Sequence, residues 1–496
     1  MIFAPKAIKI NQSDNTAVAL SDIKTGDDVF GVKAVGEVPT AHKIALNQIK
    51  TGESIIKYGH PIGSATTEIK PGEHVHTHNV KTNLRGTLSY TYTPATVPKT
   101  PPSADKKSFM GYKRANGEVG IRNEIWIIST VGCVNKTAEK IADEADRKYR
   151  GNPRVDGVYT FLHPYGCSQL GDDHVFTQKI LAGMVAHPNA AGVLVLGLGC
   201  ENNLIGDFKK ILGTWDERRV KFLNAQDVVN EVAEGLGLVD ELAEYASTFE
   251  RVKIPVEKLV IGLKCGGSDA FSGITANPLV GCFCDRLITD GGTCVLTEVP
   301  EMFGAETLLM DRAADEGVFT ETVNLVNDFK DYFTRHGQEI YENPSPGNKE
   351  GGISTLEEKS LGCTQKGGTC QVTDVLDYGE RVKRPGLNLL QGPGNDIVAV
   401  TNLTAAGAHI VLFTTGRGTP LGAPVPTVKI SSNTALAKTK PHWIDFDAGK
   451  LLDETSIEDL TELFYEYIIG VASGDFTLNE TNGYREISIF KNGVTL

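Results

Sequence analysis

Beyond residue 108 the chain repeats one pattern: a short β-branched apolar run, a loop, then a longer amphipathic stretch. The runs fall at 125–128, 157–161, 193–196, 259–262, 293–296 and 410–413. Continuous apolar runs of this length are the signature of strands buried on both faces. The amphipathic stretches between them, such as 135–149 and 226–246, have helical spacing. Strand and helix in alternation predict an α/β body with a largely parallel sheet. A new strand begins just after Pro255, so 247–258 is expected to join two parts, 109–250 and 251–496.

The first 92 residues follow another rule. Short β-type runs are separated by turn signals, and (Ile-Lys)-x-Gly-(Asp/Glu) recurs at 23–27, 49–53 and 69–73. This predicts a small β-rich domain with a recurring turn. Residues 93–108, rich in Pro, Thr, Ser and Lys, have the composition of an exposed linker.

Charge and cysteine usage narrow the function. With 49 Lys+Arg against 62 Asp+Glu the net charge is −13, which argues against nucleic acid or an anionic membrane as partner. No apolar run approaches the roughly 18–20 residues of a membrane span. The opening MIFAPKAIKINQSDN has neither the basic nor the apolar region of a signal peptide. The expectation is a cytoplasmic protein acting on a small molecule, with homo-oligomerisation left open. Nine cysteines, an odd number with no CxxC pair, read as free thiols rather than disulfides or a zinc ribbon.

Ligands of open α/β sheets bind beyond the carboxyl ends of the strands. Four cysteines, Cys133, Cys167, Cys200 and Cys265, fall in those loops. Each alone is an ordinary small residue; together they raise soft-metal or iron–sulfur ligation. The sharpest local signal is His74-Val75-His76-Thr77-His78, three of eleven histidines within five residues. On a strand they would share one face about 6–7 Å apart, so two neighbours could converge on a divalent ion. Two histidines leave coordination positions open for substrate. Arg114 and Arg122, among the glycines of 111–123, have the chemistry of a carboxylate clamp. Asn202, Asn203, Ser268, Asp269 and Arg417 add hydrogen-bonding groups suited to a polyhydroxy acid.

The motifs VHTHN (75–79), GYKRANGEVGIRN (111–123), HPYGCSQ (163–169), GLGCEN (197–202), LKCGGSDAFSGITANP (263–278), EVPEMFGAE (298–306) and TTGRGTPLGAPVPTVK (414–429) run nearly the whole chain. In that order they resemble the altronate/galactarate dehydratase family. One departure is Ala115-Asn116-Gly117, where an Asp would be expected before the glycine. The resemblance implies an N-terminal antifreeze-like (SAF-type) domain and a two-part α/β body with Rossmann-like parallel sheets. It also implies an oxygen-sensitive hydro-lyase dependent on iron(II), with manganese(II) as the second choice, and no nucleotide cofactor. Length and domain order match the altronate branch, which implies conversion of D-altronate to 2-dehydro-3-deoxy-D-gluconate in hexuronate catabolism. Galactarate or a related sugar acid is the alternative substrate.

Dehydrating a 2,3-dihydroxy acid means removing a weakly acidic proton beside a carboxylate and expelling the 3-hydroxyl. A divalent ion and cationic side chains can stabilise the enolate, with a base at C2 and an acid at O3. His76 and His78 with Glu298 are the expected metal ligands. Lys264 is the candidate base or enolate partner, and Asp269 and Glu301 are candidate acids. Arg114, Arg122, Asn123, Asn202, Ser268 and Arg417 are expected to bind substrate. An iron–sulfur dehydratase using Cys133, Cys167, Cys200 or Cys265, and a sugar-acid sensor without chemistry, are the rival readings.

Overall fold

The small domain shows why the recurring turn recurs. At each of the three places a glycine takes a positive φ (Gly26, Gly52, Gly72). The following acid then accepts the amide three residues back: Asp27 from Lys24 at 2.7 Å, Glu53 from Lys50 and Glu73 from Lys70 at 2.8 Å. The preceding isoleucines, Ile23, Ile49 and Ile69, are buried. One turn chemistry is thus used three times to send the chain back into the domain. The result is a five-stranded antiparallel sheet, a three-stranded sheet and a two-stranded ribbon. This computed structural model describes residues 2–4, 6–95, 97, 106–453 and 455–493.

Most of the expected linker, residues 96 and 98–105, lies outside the described residues. Its approach is not free-standing. Leu84, Tyr90 and Tyr92 pack on the C-terminal core, the Tyr90 hydroxyl donates to Glu306 at 2.5 Å, and the Ala95 amide donates to the Asp311 carbonyl. The linker's start is therefore ordered by contact with the body.

The middle domain is a four-stranded parallel sheet in the order Val158–Thr160, Glu124–Ser129, Ala190–Gly197, Val220–Asn224. The central strands are wholly buried, as continuous apolar runs require. The Asn135–Tyr149 helix covers one face with Ala138, Ile141, Ala142 and Ala145, an i, i+3, i+4, i+7 stripe. The expected 226–246 helix begins later, at Glu231, where the Asn230 side chain caps it.

The C-terminal domain is a seven-stranded, all-parallel sheet ordered Val372–Leu376, Gly386–Leu390, Thr293–Leu296, Val260–Cys265, Ile410–Thr415, Thr427–Ser431, Phe446–Asp447. Four of these strands, and Val220–Asn224, escaped the sequence reading because polar residues such as Asp374, Asn388 and Lys429 interrupt their apolar runs. The joining segment contains the strand Arg251–Pro255, which pairs antiparallel with Ser108–Lys113.

The two parallel sheets meet at their amino edges. His187 contacts the Ala408 carbonyl at 3.1 Å, Asn189 donates to the His409 carbonyl at 3.3 Å, and Gly183 faces Ala405. Their carboxyl edges, where ligands bind, are left free of this junction. Among the described residues no helix is long and apolar enough to cross a membrane.

Candidate active site

The strand Val260–Cys265 delivers two consecutive side chains to the carboxyl edge of the larger sheet. Lys264 is fully buried, and its ammonium contacts Glu298, Asp396 at 2.7 Å and the Cys265 carbonyl at 2.6 Å. Burial works against the charge, but Glu298, Asp396 and Glu301 raise the Lys264 pKa well above the usual lysine range. Lys264 is therefore a held ammonium. Its three close oxygen partners suit an enolate partner better than a base.

Glu298 reaches back to Lys264 from a left-handed backbone conformation, φ 69°, which a residue with a side chain rarely adopts. Its carboxylate also accepts from the Cys265 amide at 3.0 Å and from Lys366 at 3.3 Å. Burial pushes the Glu298 pKa up, against the pull of Lys264 and Lys366.

Glu301 lies on the other side of Cys265. It accepts from Lys359 at 2.7 Å and from the thiols of Cys265 and Cys363, both at 3.1 Å. Burial opposes its charge, yet Lys359, Lys264 and Lys366 hold its pKa well below the carboxylate range. The Lys359 pairing favours a charge partner or base over the acid role expected from the sequence. Three ammoniums face three carboxylates here, so the group is balanced, as buried charge must be.

Cys265, Glu301, Lys359 and Asp396 of this group line a cleft of about 570 Å³, together with Asn348 and Lys349 among others. That size suits a small ligand. Asp396, at the start of the Asp396–Ala405 helix, keeps 37% of its side chain exposed. It is the carboxylate of the group that remains open to a ligand. Arg417 stands half-exposed, paired with Glu350 at 3.1 Å. The Ser268 hydroxyl is buried without a partner, and the Ser268 carbonyl accepts from Asn348.

Asp269 is better placed as a structural clip than as an acid. Its carboxylate accepts from the Ser272 amide and hydroxyl, Ser432 and Asn433. Burial raises its pKa, but those four bonds leave little capacity for substrate.

The arginine clamp exists, but it holds the protein itself. Arg122 is fully buried and grips Glu480 at 2.7 and 3.0 Å, with further bonds to the carbonyls of Val471 and Asp475. Arg114 donates to the carbonyls of Pro188 and Arg122 and to Asn123, whose amide in turn donates to those of Arg154 and Ala246. Arg122 thus joins the middle and C-terminal domains, Arg114 and Asn123 tie the middle domain together, and all three are buried. Asn202 accepts from the Ser168 amide in the middle domain and makes no contact with the Lys264 group.

Around the expected histidines the backbone differs from expectation. The strand ends at Val75, and residues 76–79 form a turn in which Asn79 bonds back to His76 and His74. The rings still gather, because His42 from the neighbouring strand joins them. His74 is the common neighbour, with centroids 5.1 Å from His42, 5.7 Å from His76 and 5.2 Å from His78. His42 and His74 bring ring nitrogens to 3.0 Å. Burial first, then neighbouring cations and imidazoles, lowers His74 to about 4 and His76 to about 3. Both are neutral near pH 7, with lone pairs available.

Cys265, Glu301 and Cys363 bring three donor atoms within 4.8 Å of one another. Lys359 and Lys366 beside this group, and Lys43 beside His74 and His76, all oppose a further positive charge; the clustered imidazole nitrogens are the donors that suit iron(II) or manganese(II). Glu298 does not join those imidazoles, since its bonds go to Lys264, Cys265 and Lys366.

Sequence reasoning missed Lys359, Cys363, Lys366 and Asp396. The first three are spaced i, i+4, i+7 across 359–366, and that one-face helical period was the available signal. All three lie in the glycine-rich stretch 335–375.

Comparison with known proteins agrees with this domain order. Residues 5–83 match the altronate/galactarate dehydratase SAF domain. Residues 111–247 match the second domain of D-galactarate dehydratase/altronate hydrolase, and 256–495 the C-terminal domain of D-galactarate/altronate dehydratase. The chain is 54% identical over 494 residues to an altronate dehydratase of Bacillus subtilis (strain 168), covering 99% of both chains. It is 52% identical over 493 residues to an altronate dehydratase of Escherichia coli (strain K12), again over 99% of both. To the galactarate dehydratase (L-threo-forming) of Escherichia coli it is 33% identical, over 94% of this chain and 92% of that one. Similarity that spans all three domains without a break is inheritance of the whole architecture: this chain belongs to the D-galactarate/altronate dehydratase family.

Proposed function

We propose that the protein dehydrates D-altronate to 2-dehydro-3-deoxy-D-gluconate. Whole-length identity of 54% and 52% to two altronate dehydratases, against 33% to a galactarate dehydratase, carries this reading. The substrate carboxylate and hydroxyls enter the cleft between Asp396 and Lys359, with Arg417 beside its entrance. Asp396, exposed yet bonded to Lys264, takes the C2 proton. The Lys264 and Lys359 ammoniums face the negative charge that then develops, which their fixed positions stabilise without reorganisation. The proton that Asp396 has taken from C2 passes to the 3-hydroxyl, which leaves as water, and the resulting enol tautomerises to the 2-keto acid.

A divalent ion, iron(II) or manganese(II), would be held by the His42, His74, His76 and His78 group and would supply Lewis acidity to substrate oxygens. No nucleotide takes part, since no electrons are exchanged. The nine free cysteines suit the reducing cytoplasm. The reduced, metal-supplied protein should form a 2-keto acid from D-altronate, identified by mass and by comparison with authentic product. Turnover of galactarate with altronate inert would move the protein to the other branch of its family.

A further inference from the structure

We propose that Cys133, Cys167 and Cys200 together hold a four-iron, four-sulfur cluster through three thiolates. The fourth iron would keep a position for an oxygen ligand such as a carboxylate. This goes beyond the altronate reading and does not depend on it.

Three of the nine cysteines are exposed, and they are these three. Free cysteine is among the most buried residue types, so three exposed thiols in one place need a reason. Each directly follows a glycine: Gly132, Gly166 and Gly199. They sit in the loops beyond Glu124–Ser129, Val158–Thr160 and Ala190–Gly197, three adjacent parallel strands with Glu124–Ser129 in the middle. Adjacent strands are about 4.8 Å apart, so the three loops form one rim at the carboxyl edge.

The loops are laced to one another beside the cysteines. The Gly132 amide donates to the Tyr165 carbonyl at 2.8 Å, and the Asn203 amide to the Gly166 carbonyl at 3.0 Å. Thr130 donates to Glu201 at 2.6 Å, closing the triangle between the first and third loops. Glu201 also accepts the amides of Leu198 and Gly199, so it fixes the Cys200 loop. Two of the glycines permit the approach. A Cβ at Gly166 would lie 2.0 Å from the Thr130 carbonyl oxygen, and one at Gly132 would lie 2.8 Å from that of His163.

The nuclearity follows from the number and kind of ligands. Among the described residues, the one group bringing three such donors within 4.8 Å of one another is Cys265, Glu301 and Cys363. The exposed trio stands outside that group, and soft thiolates from three separate loops are the donors that iron–sulfur clusters take. Three thiolates serve three irons where four would close the set. Gln226 donates to the Cys200 sulfur at 3.4 Å, a bond of the kind that tunes cluster potential. Two iron(II), two iron(III) and four sulfide make the cluster with no oxidant, and its binding releases the three thiol protons and leaves the protein's own oxidation state unchanged.

The full-length protein, handled anaerobically and supplied with equal amounts of iron(II) and iron(III) together with sulfide, should turn brown. It should retain about four sulfide per chain, with about four iron beyond any held by the histidine group. Cys133→Ser, Cys167→Ser and Cys200→Ser should each lose the colour and most of the sulfide. Cys370→Ser, in the C-terminal domain, should lose neither. The three thiols are exposed, so metal-free serine variants should melt with the metal-free wild type, which separates lost ligation from lost fold. Wild type retaining no sulfide overturns the proposal. So does sulfide content equal in all four variants. None of these outcomes bears on altronate turnover or on the histidine group.

Discussion

The Lys43 ammonium of the small domain lies 2.8 Å from the Glu358 carboxylate of the C-terminal domain, and neither side chain reaches solvent. Lys57, from the same small domain, approaches the other Glu358 oxygen at 2.8 Å. The next residue on that helix, Lys359, turns to Glu301 in the cleft. Residue 42, beside Lys43, belongs to the histidine cluster. One buried ion triad therefore joins the docking of the small domain to both halves of the proposed site.

Removing the shared carboxylate strands two buried ammoniums. Glu358→Gln should destabilise the protein by about 3–5 kcal/mol, the range for breaking a buried pair. Thermal denaturation measures the loss, and limited proteolysis should show the small domain detached. An unchanged melting temperature would mean that the triad does not hold the domains together.

Acid should act through the same group. Burial opposes the Glu358 charge, but Lys43 and Lys57 bring its pKa down to about 2, against about 4.3 in an unfolded chain. Its contribution, about 3 kcal/mol, is complete above the unfolded value and is lost as pH falls from about 4.3 towards 2. Denaturant titrations across that window should show a shallower acid limb in Glu358→Gln than in wild type.

His74, as common neighbour of three imidazoles, is the position at which metal binding is most exposed to substitution. His74→Ala and His76→Ala should each lower iron or manganese affinity by more than the 10–100-fold seen for outer-shell partners. Metal analysis after dialysis decides this. Full metal content in both variants would move the ion elsewhere.

Asp396→Asn should keep the helix start, because the Asn395 cap remains, while kcat falls by about 10²–10⁴-fold, the usual worth of a general base. Steady-state kinetics on D-altronate provide the readout, with the melting temperature as control. Near-normal kcat would assign proton abstraction to Glu301.

Arg122→Lys separates structure from substrate binding. Lysine cannot reproduce the paired bonds to Glu480 and the two carbonyls, so the melting temperature should fall. The KM of the folded fraction should stay unchanged. A large rise in KM with normal stability would restore Arg122 to the substrate site.

Much of this protein was legible in its sequence because local physics decided it. The buried strands at 125–128, 293–296 and 410–413 announce themselves by continuous apolar character, and the triple turn by glycine and acid at fixed offsets. The loops beyond the strands, and Lys264, Glu298 and Glu301 within them, follow from where α/β sheets place their carboxyl ends. The partners of those residues did not follow. Arg122 has the chemistry of a carboxylate clamp, and only packing shows that its carboxylate is Glu480, 358 residues away. His42 enters the histidine group through a strand neighbour 32 residues distant, and Lys359 meets Glu301 across 58. Electrostatic setting was decided in the same way: Glu301 and Asp269 are both carboxyls in sequence, yet three nearby ammoniums pull the pKa of one down while burial pushes that of the other up. Sequence carries residue type and local period. Which charges face each other, and how much water remains between them, depends on contacts that exist only once the chain has closed.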